Sequence, residues 1–193
     1  MIRTLRRHAW VTGLIVLLVL LFVVTKLIQP GYGAADFVSL TRAVLPYAFA
    51  VAAQTVVVIA GGIDLSVASM MALTSVTAAV MMAGTSEEYA LLVVPFVLLL
   101  GFGLGALNGI LIVVSRVPDI VVTLATLFML QGAALLVLNA PGGGAAEWLK
   151  ALVIGPVPIP FLPDAVDAYL PRALLLLVIC LAVVWIPLKR SRI

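Results

Sequence analysis

The chain has 193 residues, of which 65% are hydrophobic and 10% are charged, with a formal net charge of +3 and a mean hydropathy of +1.32. Soluble domains are about half apolar and a quarter charged, and a soluble fold of this length lacks the interior to hide so much apolar surface. A soluble domain and a disordered chain are therefore both excluded, and a membrane protein is predicted.

The basic residues stand at the ends of apolar runs, so they indicate orientation in a lipid bilayer and not binding to nucleic acid. The lone Cys180 excludes an intrachain disulfide. The single His8 has no partners at metal-ligand spacing and is interpreted as an interfacial residue of the basic N-terminus. No metal and no cofactor are expected in this chain.

The first apolar run is longer than the segment of about 7–15 residues in a signal peptide, so a retained first helix is predicted. Five further runs follow, and all have the length of helices that cross a bilayer. Barrel strands would instead alternate over about ten residues. The chain is therefore predicted to be an all-α membrane protein with one transmembrane domain over residues 1–193. About six transmembrane helices are expected, at approximately 9–27, 37–60, 67–84, 90–115, 120–138 and 172–188.

A short polar segment joins the second and third spans and consists of Gly61, Gly62, Ile63, Asp64, Leu65 and Ser66. Its glycine pair is expected to end the second helix. The only long stretch that does not span is 139–171, which is rich in glycine and proline. That stretch is predicted to lie on the external side of the membrane.

The charges predict that both termini face the cytoplasm. With that orientation seven of the eleven basic residues fall inside and six of the eight acidic residues fall outside, as the positive-inside tendency requires. The basic residues inside are Arg3, Arg6, Arg7, Arg116, Lys189, Arg190 and Arg192.

Asp64 is the first candidate for function, because a carboxylate among spanning helices is costly. The cost is about 2.5–3.5 kcal/mol at a helix centre and smaller near the cytoplasmic end of the second and third spans, where Asp64 is predicted to lie. Asp64 or Ser66 could simply accept hydrogen bonds from the free amides of the third helix, since a glycine break followed by aspartate is typical of a helix N-terminus. Asp64 could also line or gate a pathway. The two interpretations are compatible.

Other polar residues inside the spans allow two interpretations. Gln54 and Asn108 could form hydrogen bonds between helices or line a polar pathway. Thr123 and Thr126 share one face of the fifth helix, and threonines there often bond to their own backbone. The pathway or gate candidates are Gln54, Asp64, Ser66, Asn108 and Thr123.

Gly101, Gly105 and Gly109 are four residues apart on the fourth span and predict a smooth ridge for close helix packing. No phosphate-binding loop of the Gly-x-x-x-x-Gly-Lys-Ser/Thr type occurs, nor do the metalloprotease and serine-hydrolase motifs. An enzyme is therefore not expected. An ion-driven pump is disfavoured because no series of charges lies within the spans.

Four stretches, in order and spacing, resemble the permeases of bacterial ABC importers of the ribose/galactose/xylose type. They are GGIDLSVAS at 61–69, GALNG at 105–109, RVPDIVVTLAT at 116–126 and IGPVPIP at 154–160. The chain departs from the usual family residues at Ala68, Asp119, Ile120, Ala125 and Gln131. It is also shorter than full members, so the sequence is interpreted as the N-terminal portion of a permease, truncated or split. No positions match the family's ATPase-docking residues.

The resemblance implies a permease subunit that moves a monosaccharide inward across the bacterial inner membrane. Its implied partners are a second permease subunit (identical or different), a cytoplasmic ATP-binding subunit and a periplasmic sugar-binding protein. Two other classes remain open. One is a membrane scaffold or assembly subunit without a pathway, and the other, ranked lower, is a membrane-embedded enzyme. Neighbouring genes for an ATPase and a sugar-binding protein would favour the permease.

Overall fold

A computed structural model describes residues 9–154 and 172–190, and within these two ranges it contains seven helices and no strand. The helices are α1 (Ala9–Ile28), α2 (Ala34–Ile59), α3 (Val67–Met82), α4 (Ala90–Ser115), α5 (Asp119–Val137), α6 (Glu147–Val153) and α7 (Arg172–Arg190). The prediction of an all-α chain is confirmed. His8, the N-terminal arginines and the IGPVPIP stretch lie outside the described residues, apart from Ile154.

Each predicted span corresponds to one helix. The largest difference is at α2, which begins at Ala34 because the Asp36 carboxylate accepts a hydrogen bond from the Gly33 amide at 2.9 Å. Among the described helices, α1, α2, α4 and α5 are long and apolar enough to cross a membrane. The apolar helix α3 has 16 residues and is therefore shorter than a typical span of about 20 residues, whereas α7 has 19 residues.

Helix α3 lies at the centre of the bundle and packs most extensively against α5 and then α4. One buried cluster joins Leu73 of α3 to Leu130 and Ala134 of α5. A second cluster, nearer the other end of α3, joins Met82 to Ala90 and Val93 of α4 and to Ala146 before α6. Most other large apolar side chains are exposed, as expected where the solvent is hydrocarbon.

The outer helices make fewer contacts with this centre. Helix α2 packs mainly against α7 and only slightly against α3. Helix α1 touches α2 through Phe22 and Phe37, whose ring centroids are 6.5 Å apart. Helix α7 is joined to α6 by the Arg172 guanidinium, which donates to the Ala151 carbonyl at 2.7 Å.

Different contacts stabilise the two ends of the bundle. At one end the segment between α2 and α3 meets the start of α5, where the Asp119 carboxylate accepts a hydrogen bond from the Ile63 amide. At the other end, the Glu87 carboxylate accepts the Glu147 amide at 3.0 and 2.9 Å. The Gly144 amide also donates to the Ala79 carbonyl there, at 2.8 Å.

Candidate functional site

An open cleft of about 820 Å³ lies at the end of the bundle where α2 and α4 finish and α5 begins. Its walls are mainly apolar and come from the last turns of α2 and α4. Its polar groups come from the turn after α2, from α4 and from the first turns of α5. Those polar residues are Asp64, Asn108, Arg116, Asp119 and Thr123.

The turn that carries Asp64, called here the Gly61–Ser66 turn, begins with a Schellman motif. The Gly61 amide donates to the Val58 carbonyl and the Gly62 amide to the Val57 carbonyl, both at 3.0 Å. Gly61 has φ +86°, a left-handed conformation that glycine adopts without steric cost. The glycine pair therefore ends α2 as predicted and turns the chain toward α3.

A chain of side-chain hydrogen bonds connects this turn to two helices. The Thr126 hydroxyl donates to the Asn108 amide oxygen at 2.7 Å, and the Asn108 amide nitrogen donates to the Ser66 hydroxyl at 2.9 Å. The Ser66 hydroxyl then donates to Asp64 Oδ1 at 2.6 Å, and the Ser66 amide donates to the same oxygen at 2.7 Å. Helices α5 and α4 and the Gly61–Ser66 turn are thereby joined.

The direction of these bonds follows from the chemistry of the groups. An ionised carboxylate only accepts, so the Ser66 hydroxyl proton points to Asp64. The Ser66 oxygen must then accept from the amino side of Asn108, which leaves the Asn108 oxygen to accept from Thr126. Ser66 and Asn108 are 0% and 3% exposed, so these internal bonds replace the water that both side chains would otherwise bind.

Asp64 differs from its partners because it is only half-buried and borders the cleft. Described residues donate two hydrogen bonds to the Asp64 side chain, and Oδ1 accepts both of them. Oδ2 is therefore the oxygen that can accept a hydrogen bond from a molecule in the cleft. The buried hydrogen bonds from Thr126 through Asn108 and Ser66 hold the Asp64 carboxylate in place on the side away from the cleft.

The structure brings four of the five predicted pathway candidates together: Asp64, Ser66, Asn108 and Thr123. The Thr123 hydroxyl, 1% exposed, donates to the Asp119 carbonyl at 2.8 Å in its own helix. Gln54 lies apart on α2. It does not border the cleft, and its side chain forms no hydrogen bond with the described residues.

Two expectations differ from the structure in detail. Neither Asp64 nor Ser66 caps an amide of α3; the Asp64 carboxylate instead closes a turn onto Ser66 itself. The three glycines of α4 do not share one packing surface. A Cβ on Gly101 would contact Thr74 of α3 at 3.8 Å, whereas Cβ atoms on Gly105 and Gly109 would have no neighbour within 4 Å. Gly105 and Gly109 border the cleft.

Sequence reasoning missed two residues of this site. In the sequence Asp119 is notable only as a departure from the family pattern. A carboxylate directly after proline at a helix start is nevertheless a signal for hydrogen bonding to nearby amides. The sequence allows Thr126 either to bond to its own backbone or to line a pathway, and its hydroxyl lies 3.0 Å from the Val122 carbonyl oxygen. Its second contact, with Asn108, depends on how α4 and α5 pack.

Comparison with known proteins gives the same family as the sequence motifs. A family described as "Branched-chain amino acid transport system / permease component" matches residues 36–193. Autoinducer 2 import system permease proteins LsrD from Escherichia coli K12 and Shigella flexneri are each 31% identical over 196 residues. Each alignment covers 96% of this chain and 55% of the relative, so the chain spans about half the length of these proteins. No solved structure matches the chain.

These relatives are permease proteins. The family model covers the Gly61–Ser66 turn, all the polar residues of the cleft and both helices that hold the turn. The chain therefore belongs to this family of importer permease components and is a multi-pass protein of the bacterial inner membrane, as its resemblance to importer permeases predicted.

Proposed function

We propose that this chain supplies part of the pathway of an ABC importer that moves a monosaccharide inward across the bacterial inner membrane. The observation that carries the proposal is the cleft beside Asp64. One carboxylate there is held through a buried hydrogen-bond chain, while its second oxygen has no internal donor among the described residues.

The chemistry of the cleft suits a neutral, polyhydroxylated solute. A sugar hydroxyl can donate to Asp64 Oδ2, and the apolar walls from α2 and α4 can contact the C–H face of a sugar ring. In the predicted topology this end of the bundle faces the cytoplasm, because α2 and α4 both run inward. Asp64 would therefore act late in import, at or near the inner gate.

The chain is proposed to work in an assembly. A second permease subunit, identical or different, would complete the pathway, and a cytoplasmic ATP-binding subunit would hydrolyse ATP to drive the change between outward and inward states. A periplasmic sugar-binding protein would deliver the substrate. Membership of a transport-system family supports this arrangement, in which the chain itself forms no covalent intermediate.

Two other solute classes are tested in parallel, because the family is described by branched-chain amino acids and the relatives by autoinducer 2. Membrane vesicles should contain this chain with the permease, ATP-binding and solute-binding proteins encoded beside it. Labelled pentoses and hexoses, branched-chain amino acids and autoinducer 2 are then offered with ATP inside. The proposal predicts ATP-dependent accumulation of a pentose or hexose.

The outcomes separate the alternatives. Accumulation of only an amino acid or autoinducer 2 would keep the importer and overturn the monosaccharide assignment. A stable complex that accumulates none of these solutes, while a known importer works in matched vesicles, would instead support the scaffold or assembly subunit.

A further inference from the structure

Side chains at the start of α5 contact the backbone of the Gly61–Ser66 turn at Ile63. The Asp119 carboxylate accepts a hydrogen bond from the Ile63 amide through Oδ2, while Oδ1 accepts the Ile120 amide at 2.9 Å. The Thr123 hydroxyl lies 3.4 Å from the Ile63 carbonyl oxygen. Both polar groups of the Ile63 backbone therefore face side chains of α5, across 56 and 60 residues of sequence.

Close approach at this point favours a glycine. A Cβ on Gly62 would lie 3.2 Å from Asp119 Oδ2 and 3.4 Å from Val57 Cγ1. Both distances are at or below the lower limit of ordinary contact, so a larger residue at position 62 would press against the carboxylate and require a small shift of it or of the turn. The Gly61–Ser66 turn and the Asp119 side chain thus fit each other sterically as well as by hydrogen bonding.

The rest of the turn has little apolar anchorage. The Ile63 and Leu65 side chains are 43% and 38% exposed, so their burial contributes little. The turn is held by polar contacts on each side of Asp64: Asp119 binds Ile63 before it, and Asn108 binds Ser66 after it. The position of the Asp64 carboxylate accordingly depends on two helices.

We infer that Asp119 is a positioning residue, which fixes the Asp64-bearing turn to α5 so that the Asp64 carboxylate moves together with that helix. Loss of Asp119 removes the only α5 acceptor of the Ile63 amide among the described residues. It leaves the longer contact of Thr123 with the Ile63 carbonyl and the bond of Asn108 to Ser66. The link to transport rests on the function proposed above, whereas the tether itself is a property of the chain and can be measured without transport.

The direct test is hydrogen exchange of the purified chain in lipid nanodiscs, followed for peptides that contain the Ile63 amide. Asp119→Ala removes the acceptor and should accelerate exchange at Ile63 by about tenfold or more, because a charge-assisted hydrogen bond is lost. Asp36→Ala is the matched control. It also removes a carboxylate that binds a backbone amide, at Gly33, but at the start of α2. Exchange at Ile63 should be unchanged in that variant.

Two further variants keep the test decisive if Asp119→Ala does not fold. Asp119→Asn retains one acceptor oxygen. The Ile63 amide of this variant should exchange at a rate between those of the wild type and Asp119→Ala. Gly62→Ala leaves Asp119 in place and pushes against its carboxylate, so it should also accelerate exchange at Ile63. Gly103→Ala is its control, because a Cβ at Gly103 would have no neighbour within 4 Å.

Unchanged exchange at Ile63 in folded Asp119→Ala would overturn the tether, and so would wild-type exchange in Asp119→Asn if Asp119→Ala does not fold. Exchange in Asp119→Asn as fast as in Asp119→Ala would also overturn it, because an acceptor oxygen would then not be what holds the turn. In the assembled importer Asp119→Ala should lower the maximal uptake rate more than the apparent affinity, and Asp119→Asn should restore part of that rate. Normal uptake with accelerated exchange would keep the tether and overturn its role in positioning Asp64.

Discussion

Asn108 is the residue on which the buried hydrogen bonds converge, since it accepts from Thr126 and donates to Ser66. The sequence identified Asn108 as a bridge between helices or a pathway residue, and its side chain borders the cleft while bonding across helices. The partners could not be predicted. Ser66 is 42 residues away, and the contact depends on how α4 is rotated against α3 and α5.

The first prediction concerns this residue. Asn108→Asp replaces the amide donor by an acceptor and adds a negative charge close to Asp64. The Ser66 hydroxyl has one proton, so it cannot donate to both carboxylates, and the bond donated to Ser66 is lost. We expect a loss of about 2–4 kcal/mol in the free energy of unfolding, because a buried polar group is left without its partner. Thermal unfolding in detergent measures this as a lowered Tm. Asn108→Ala should fall between the wild type and Asn108→Asp.

Gln54→Ala is the control for these variants. This substitution also removes a side-chain amide from a helix long enough to cross the membrane. The Gln54 side chain, however, forms no hydrogen bond with the described residues. We expect its Tm to change little. Equal destabilisation by Gln54→Ala and Asn108→Asp would contradict the special place of Asn108 in the bundle.

At the scale of elements, the positions of the six longer helices followed from the apolar runs, because hydrocarbon solvent permits few other structures. Packing partners did not follow, since apolar residues surround most helices and leave no polar face to orient them. The place of α6 was also unforeseen. Its contact with Glu87 joins residues 60 positions apart, which no pattern in the sequence predicts.

The second prediction tests how α6 is held. Glu87→Ala removes the carboxylate that accepts the Glu147 amide, so the first turn of α6 should be held less firmly against the turn between α3 and α4. Hydrogen exchange at the Glu147 amide should accelerate by about tenfold or more. Glu88→Ala is the control, since Glu88 is an exposed neighbour whose side chain binds no described residue. Equal exchange in both variants would show that Glu87 does not hold α6.

At the scale of the whole molecule, the charges predict that the turn after α2 and the turn after α4 face the cytoplasm. The structure places these two turns at one end of the bundle and Glu87 at the other, which is the arrangement that alternating spans require. Large apolar surfaces remain exposed, including a groove of about 610 Å³ between α2 and α7. Lipid and the proposed partner subunits would share these surfaces.

The third prediction tests this orientation. In a Cys180→Ser background, Ser86→Cys should react with a membrane-impermeant maleimide in intact cells. Val117→Cys, which is 37% exposed in the turn after α4, should react only after the inner membrane is made permeable. The reverse pattern would place Glu87 in the cytoplasm and contradict the predicted topology.

Asp64 is the central residue of the proposed pathway, and uptake by the assembled importer that carries Asp64→Asn tests its role most directly. The asparagine oxygen can still accept from Ser66, so the buried chain is kept while the group facing the cleft changes from an acceptor to a donor. We predict that uptake falls by about 10- to 100-fold, and by at least as much in Asp64→Ala, with normal membrane insertion. Wild-type uptake in both variants would reduce Asp64 to a structural residue and contradict the proposed site.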